Sequence, residues 1–166
     1  MMRRLVIMRH AKSSWNSGSA TDHGRPLNRR GERTAPVMGA VLEERGWEPD
    51  LVLSSDALRA SMTVEGVLRG FTEPPPVQFS PLLYHAGVDA VRRLLPEMDA
   101  CIETVMLVGH NPGWEHLVAW LCDEQVAMKT ADCALLTGEG EDWEHAVSEP
   151  GAWKLTQFLR AREFAG

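Results

Sequence analysis

Three short apolar runs constrain the fold of this 166-residue chain more than any other feature of its sequence. Residues 5–8, 51–53 and 104–108 are each long enough for a buried β-strand and too short for an independent helix. Segments in which apolar residues recur at helical spacing separate the three runs. This alternation predicts an α/β fold, built as a three-layer sandwich with helices on both faces of a largely parallel central sheet.

The remaining segments complete a single domain over residues 1–166, in which we find no repeat and no linker. Residues 12–28 are polar and predict a long loop. Predicted helices cover residues 30–45, a stretch from an N-cap at 54–56 to about Gly70, residues 88–98 and residues 114–122. Further strands are predicted over residues 77–79, 131–136, 144–147 and 153–159. The late run of strands predicts antiparallel additions at one edge of the sheet.

Charge and cysteine content exclude several classes of function. The chain has 17 basic and 23 acidic side chains, a net charge of −6, which argues against nucleic-acid partners and against binding to an anionic membrane. No apolar stretch approaches the roughly 20 residues that span a bilayer. Three cysteines without a C-x-x-C pair predict neither a disulfide framework nor a zinc site. We therefore expect a cytoplasmic protein that uses no metal and no cofactor.

Charged and imidazole side chains follow the three apolar runs, where an open α/β sheet collects its ligands. Arg9 and His10 follow the first run, Arg59 lies in the helix after the second, and His110 and Asn111 follow the third. Arginine matches the geometry of phosphate with two hydrogen bonds, and a neutral imidazole can attack phosphorus. A second imidazole, once protonated, can donate to a phosphoryl oxygen. The grouping predicts a pocket for a phosphoryl group in which cationic side chains take the place of a metal.

Four motifs around these residues resemble those of the histidine phosphatase superfamily, whose fold is phosphoglycerate mutase-like. They are the Arg-His-Ala of residues 9–11, the Ser-Ser-rich stretch 53–60, the Gly-His-Asn-Pro-Gly of 109–113 and the segment 22–31. The last motif resembles the D-x-x-R-P-L stretch of the SixA-type phosphohistidine phosphatases. The short chain, which has no room for a cap insertion, also resembles that branch.

The resemblance implies a role for each site residue. His10 would be the catalytic nucleophile, while Arg9, Arg59 and His110 would bind and stabilise phosphate, and Asn111 would help to orient it. The implied enzyme is a metal-independent phosphatase that forms a phosphohistidine on His10. Its substrate would be phosphohistidine in a partner protein or a small phosphorylated molecule.

Two other functions remain open on the same residues, and the sequence leaves the oligomeric state open. One is a small-molecule phosphomonoesterase or mutase, and the other is a non-catalytic module that binds phosphoproteins. Intact nucleophile and phosphate-binding positions favour an enzyme over the binding module.

The general acid is the gap in the pattern. Many members of the resembled superfamily carry a glutamate in the segment that corresponds to residues 81–86, where this chain has no carboxylate. SixA-type proteins share this gap, and a phosphoramidate needs less help because its imidazole leaving group can depart already protonated. Asp22, in the long loop, is the candidate acid.

Several further residues are predicted at the rim of the pocket. His23 and His85 are candidates to line it, and Trp15 is the tryptophan placed to touch a substrate. Arg25 could either pin the loop through a salt bridge or contact the substrate, and we favour the first. Taken alone, Arg59 could also pair with Glu65 or Asp56, an interaction of little energetic value.

Overall fold

A six-stranded sheet forms the centre of the computed structural model, which describes residues 1–165. Its strands are β1 (Met2–Arg9), β2 (Leu51–Ser55), β3 (Val77–Ser80), β4 (Thr104–Gly109), β5 (Cys133–Glu139) and β6 (Lys154–Leu159). The spatial order is β3-β2-β4-β1-β5-β6. The four strands from β3 to β1 are parallel, β5 pairs antiparallel with β1, and β6 pairs antiparallel with β5 at the edge. The predicted α/β fold and its antiparallel edge are confirmed.

Six helices connect or follow the strands and cover both faces of the sheet. They are α1 (Arg29–Glu44), α2 (Leu58–Arg69), α3 (Val88–Leu94), α4 (Gly113–Cys122), α5 (Trp143–Ala146) and α6 (Arg162–Ala165), with 3₁₀ turns over Pro81–Leu83 and Leu95–Glu97. The longest, α1, has 16 residues. Among the helices of residues 1–165, none combines the length and apolar character needed to cross a bilayer.

Alternate residues of β1 build the two halves of the core. Val6 and Met8 pack with Met38 of α1 and its neighbours on one face, and Leu5 and Ile7 pack with residues of α4 on the other. Successive side chains of a strand point to opposite faces, so a strand that is apolar throughout is buried on both. The central strand is therefore covered by a helical layer on each side.

Two local predictions are wrong. Residues 144–147, predicted as a strand, lie largely in the short helix α5, because Asp142 caps its first turn by accepting from the backbone N–H of His145, at 2.8 Å. Trp143 and Ala146, three positions apart, are then both buried. The predicted cap at residues 54–56 also fails: Ser54 and Ser55 end β2, and α2 begins after Ala57 without a side-chain cap.

The amino end of β1 buries an arginine that the sequence does not reveal as internal. The Arg3 side chain has no exposed surface, although it stands in a strand that begins three residues earlier than predicted. Its guanidinium donates to four backbone carbonyls, those of Ala100 (2.6 Å), Ile102 (2.7 Å), Glu141 (2.7 Å) and Gly140 (3.1 Å). Each nitrogen is thus satisfied, which is what allows a charged group to be buried there.

Candidate active site

The carboxyl ends of three neighbouring parallel strands bring the predicted site residues together. Arg9 ends β1 and His10 follows it, His110 follows β4, and Arg59 lies in the first turn of α2 after β2. The backbone N–H of His10 donates to the carbonyl of Gly109 at 2.9 Å. The imidazole rings of His10 and His110 have centroids 5.3 Å apart. The structure thus brings together the three post-strand segments that the sequence predicted to converge.

His10 is held in one tautomer. Its Nδ1 lies 2.7 Å from the carbonyl oxygen of Ala11, which can only accept, so Nδ1 carries the proton and Nε2 carries the lone pair. Burial lowers the pKa of His10 to about 4, and the nearby charges of Arg59 and Arg9 add to the lowering. At neutral pH the ring is uncharged, and Nε2 is a competent nucleophile.

His110 faces His10 from β4 and is fixed at its other nitrogen. Its Nε2 lies 2.8 Å from the hydroxyl oxygen of Ser55, at the end of β2. Burial, helped by the nearby His10 and Arg59, lowers the pKa of His110 to about 3. A phosphate dianion beside this ring would raise that pKa, since an opposite charge favours the protonated form.

Unpartnered polar atoms mark this place in the fold. Within residues 1–165, the buried side-chain nitrogens and oxygens without a hydrogen-bond partner are Arg9 Nε, Arg59 Nε, His110 Nδ1 and Asn111 Oδ1. All four belong to residues predicted to handle phosphate. Asn111 Oδ1 is an acceptor, and the other three atoms are nitrogens. Because a buried polar atom without a partner costs free energy, such a cluster indicates a binding site for a polar group. Two guanidinium donors and an imidazole nitrogen suit an anion with several oxygens.

Asp22 lies at the centre of the rim rather than standing free as a proton donor. Its Oδ2 accepts from Tyr84 Oη at 2.6 Å and from Arg59 Nη2 at 3.0 Å, and lies 3.3 Å from His85 Nε2. Arg25 Nε donates to Oδ1 at 3.0 Å. The Tyr84 hydrogen bond, together with the two arginines, holds the pKa of Asp22 well below its usual range. This lowering favours the ionised carboxylate, and the role of Asp22 as general acid stays a prediction.

Tyr84 is the rim residue that sequence reasoning missed. Its ring lies edge-on to both His23 and His110, with centroid distances of 4.8 and 5.4 Å, and 4.0 Å from the ring of His85. Burial and the Asp22 carboxylate raise the pKa of Tyr84, so its hydroxyl stays protonated. The signal available in the sequence is its place in residues 81–86, where this chain has a tyrosine hydroxyl and no carboxylate.

The other rim residues occupy distinct positions. Arg25 pins the loop, because Nη1 also donates to Ser13 Oγ at 3.0 Å, and its guanidinium stacks on the exposed ring of Trp15 at 3.5 Å. His23 Nε2 lies 2.9 Å from Asp56 Oδ1. Arg59 therefore pairs with Asp22 rather than with Asp56, and the remaining candidate partner, Glu65, pairs with Arg69 at 3.6 Å.

A threonine connects the arginine helix to the nucleophile segment. The hydroxyl of Thr63 donates to the carbonyl of Arg59 at 2.7 Å and accepts from the backbone N–H of Ala11 at 3.0 Å. Across the sheet, Trp114 Nε1 donates to the carbonyl of Met8 at 3.0 Å. These buried bonds fix the backbone on both sides of His10, so the site is preorganised. Among residues 1–165, no three His, Cys, Asp or Glu side chains are grouped as metal ligands.

Comparison with protein families and with known proteins is consistent with this geometry. Residues 5–88 match the model of the histidine phosphatase superfamily (branch 1). An uncharacterized chloroplastic protein of Arabidopsis thaliana is 39% identical over 165 residues, which cover 92% of this chain and 75% of that protein. An uncharacterized protein of Mycobacterium tuberculosis H37Rv is 36% identical over 162 residues, covering 91% of this chain and 98% of that protein.

Solved structures share the fold over almost their full length. The protein histidine phosphatase SixA in complex with tungstate superimposes with a TM-score of 0.82 at 25% identity, covering 96% of this chain and 98% of that one. A protein of Agrobacterium tumefaciens described as a phosphohistidine phosphatase SixA gives a TM-score of 0.80 at 27% identity, covering 95% and 97%.

Proposed function

The chain belongs to the histidine phosphatase superfamily (branch 1), as a SixA-type member, and on that premise we propose that it removes phosphate from phosphohistidine in a cytoplasmic partner protein. His10 takes the phosphoryl group, and the reaction uses no metal and no cofactor. The observation that carries the proposal is the state of His10, a neutral ring whose Nδ1 is bonded to the Ala11 carbonyl and whose Nε2 is left as the nucleophile.

The reaction proceeds in two displacements at phosphorus. The lone pair of His10 Nε2 forms the new P–N bond while the P–N bond to the substrate imidazole breaks, and that pair of electrons returns to the substrate nitrogen. A water molecule then attacks phosphorus, the bond to His10 breaks, and inorganic phosphate leaves. Splitting one step into two lets the same donors stabilise both transition states.

The unpartnered donors of the site supply that stabilisation. Arg9 Nε, Arg59 Nε and His110 Nδ1 are the groups that would hold the phosphoryl oxygens. Charge is spread over these oxygens in the transition state, so fixed cationic donors contribute more there than in the ground state. His110 gains its proton as the phosphate dianion binds.

The ionised state of Asp22 supports phosphohistidine as the substrate rather than an alkyl phosphate. An alkoxide leaving group needs a proton from an acid, and the hydrogen bonds from Tyr84, Arg25 and Arg59 lower the pKa of Asp22 and so disfavour the protonated carboxyl that would supply it. An imidazole protonated on its distal nitrogen leaves as a neutral ring and needs no such donor. The likeness to the protein histidine phosphatase SixA points the same way.

The test compares two substrates and two histidine variants in the presence of a chelator. We expect the wild-type protein to hydrolyse a phosphohistidine-bearing protein, and His10→Ala to lower the rate by a factor of about 10⁴ or more. His145→Ala, at an exposed histidine, is the matched control and leaves the rate unchanged. Turnover that survives His10→Ala, or that the chelator abolishes, would overturn the mechanism.

p-Nitrophenyl phosphate distinguishes the other functions on this site. Efficient turnover of that ester without turnover of phosphohistidine would identify a phosphomonoesterase. Binding of a phosphoprotein with no turnover of either substrate would identify a non-catalytic module.

A further inference from the structure

A cavity of about 330 Å³ on the α1 and α6 side of the molecule concentrates positive charge. Its walls come from the start of α1, from residues 129–132 and from residues 160–165. The cationic side chains that line it are Arg9, Lys12, Arg30, Lys129, Arg160 and Arg162. His10, Arg59 and His110 do not line it, so most of this cavity lies outside the site already described.

Within residues 1–165, the one carboxylate side chain that lines the cavity already accepts hydrogen bonds. Asp132 is buried, and its two oxygens accept from the backbone N–H groups of Lys129 and Ala161, each at 2.9 Å. Its ion pair with Arg160 is long, at 3.7 Å. Because Arg9 also belongs to the site at His10, five further cations surround one engaged carboxylate, in a chain whose net charge is −6. A cleft lined by one sign of charge attracts ions of the opposite sign.

The walls are fixed by hydrogen bonds and close packing. The carbonyl of Lys12 accepts from the backbone N–H of Asn28 at 2.9 Å, and Asn28 caps the first turn of α1 through the N–H of Gly31. A Cβ on Gly31 would lie 2.2 Å from the Lys12 carbonyl oxygen, so α1 packs directly on this segment. The backbone of this wall is therefore set before any ligand arrives, which lowers part of the entropic cost of binding.

The opposite wall is joined to the nucleophile segment. The backbone N–H of Ala131 bonds to the carbonyls of Arg9 (3.0 Å) and His10 (3.1 Å). Lys12, two residues beyond His10, also lines the cavity. An anion bound here would thus lie against the backbone that carries the nucleophile.

We propose that this basic cavity binds a second phosphate-bearing anion, separate from the phosphoryl group at His10. Arginine and lysine together provide both the forked donors and the point charges that phosphate groups favour. A cavity of about 330 Å³ is at the small end of the range for small-molecule sites, which favours a compact polyanion over a protein surface. Inorganic pyrophosphate carries this chemistry in its simplest form. Apart from Arg9, the cationic residues of the cavity take no part in the proposed reaction at His10, so the cavity site does not depend on that reaction.

Calorimetric titration with inorganic pyrophosphate tests the proposal. The wild-type protein should bind two equivalents, one in each site, and Arg30→Glu with Arg162→Glu should weaken one of them about tenfold or more. Arg33→Glu is the matched control, since it is exposed on the same helix and does not line the cavity, and it should keep both. Turnover of p-nitrophenyl phosphate should stay within about twofold of wild type in all of these variants.

Arg59→Ala separates this proposal from the proposed function. This variant should weaken binding of pyrophosphate at His10 and leave its binding in the cavity unchanged, whether or not the chain is a phosphohistidine phosphatase. Pyrophosphate affinity that does not change in the Arg30→Glu, Arg162→Glu protein would overturn the proposal. Parallel loss of both equivalents and of turnover would overturn it as well, because the cavity would then be part of the catalytic pocket.

A final comparison identifies the source of the anion. If the second phosphate belongs to the substrate, the double variant raises KM for a bisphosphorylated substrate and not for p-nitrophenyl phosphate. If it is a free ligand, both KM values stay unchanged while pyrophosphate binding falls. The wild-type protein could instead bind a single equivalent of pyrophosphate while the double variant dephosphorylates a phosphoprotein more slowly. That result would overturn the small anion as the ligand and identify an acidic protein surface in its place.

Discussion

The two ends of the sheet each bury an arginine, and the two arginines are treated in opposite ways. Arg3, at the amino end of β1, has no exposed surface and donates to four backbone carbonyls. Arg59, at the carboxyl end, is 3% exposed, binds only the carbonyl and carboxylate of Asp22, and leaves Nε without a partner. Burial alone therefore does not distinguish a structural cation from a functional one.

The difference lies in what satisfies the guanidinium. The partners of Arg3 are backbone carbonyls within the fold, and their fixed dipoles stabilise its charge. The partner of Arg59 is a loop carboxylate whose side chain is 41% exposed and which other groups also hold. An incoming phosphate can displace this carboxylate from Arg59. The four carbonyls around Arg3 could be displaced only by unfolding the chain.

Truncating each arginine gives the largest expected contrast. Arg59→Ala should lower kcat/KM for phosphohistidine by a factor of about 10²–10³, because it removes donors that act on the transferring group. Arg3→Ala should lower the free energy of unfolding by about 3 kcal/mol, because it leaves buried carbonyls unpaired. Steady-state kinetics and urea unfolding of both variants measure the two effects. The comparison breaks if Arg59→Ala is the one that destabilises and Arg3→Ala the one that slows turnover in folded protein.

The Asp22→Asn substitution tests whether the loop carboxylate competes with phosphate for Arg59. The amide keeps the shape and loses the charge, so inorganic phosphate should inhibit about fivefold more strongly, as expected for removing one nearby like charge. The kcat for phosphohistidine should stay within about threefold if the leaving imidazole needs no acid. A hundredfold fall in kcat would instead identify Asp22 as the proton donor.

The pKa values of His145 and His10, one near each end of the sheet, allow the same comparison as a function of pH. Near the Arg3 end, the hydrogen bond to Asp142 raises the pKa of exposed His145, whereas burial lowers the pKa of His10 to about 4. We expect kcat/KM to hold down to about pH 4 and to fall below it, since protonated His10 cannot attack. NMR titration of the two rings checks the assignment, and an acid limb near the usual value of about 6.5 would contradict it.

The same shift predicts a smaller effect on stability. The folded pKa of His10 lies below its unfolded value, so folding favours the neutral ring. This contribution is fully present above about pH 6.5 and is lost as the pH falls toward the folded value of about 4. His10→Gln should therefore reduce the acid sensitivity of the unfolding midpoint between these two pH values.

The residues proposed to act on phosphate could be predicted from the sequence because they lie at the ends of strands. The apolar runs at 5–8, 51–53 and 104–108 located three carboxyl ends, and parallel pairing brings such ends together. Arg59 required only that a helix follow β2 directly. The positions of these residues depend on where strands and helices begin and end, and the spacing of apolar residues predicts those boundaries well.

The hydrogen bonds that Asp22 accepts from Tyr84, Arg59 and Arg25 could not be predicted in the same way. The first of them joins a loop carboxylate and the Tyr84 hydroxyl, which lie 62 positions apart in the chain. No local pattern specifies that contact, because it depends on how the loop settles against the turn after β3. Arg3 was missed for a related reason: a charged residue beside an apolar run indicates solvent, unless carbonyls from distant segments are known to surround it.

The position of β1 within the sheet has a consequence for synthesis of the chain. The strand that carries Arg9 and precedes His10 is translated before both of its partners, β4, which ends at Gly109, and β5, which ends at Glu139. Pairings so distant along the chain close late and fold slowly. The nucleophile thus leaves the ribosome long before its pocket can form, so a nascent or truncated chain that lacks β5 should have no phosphatase activity.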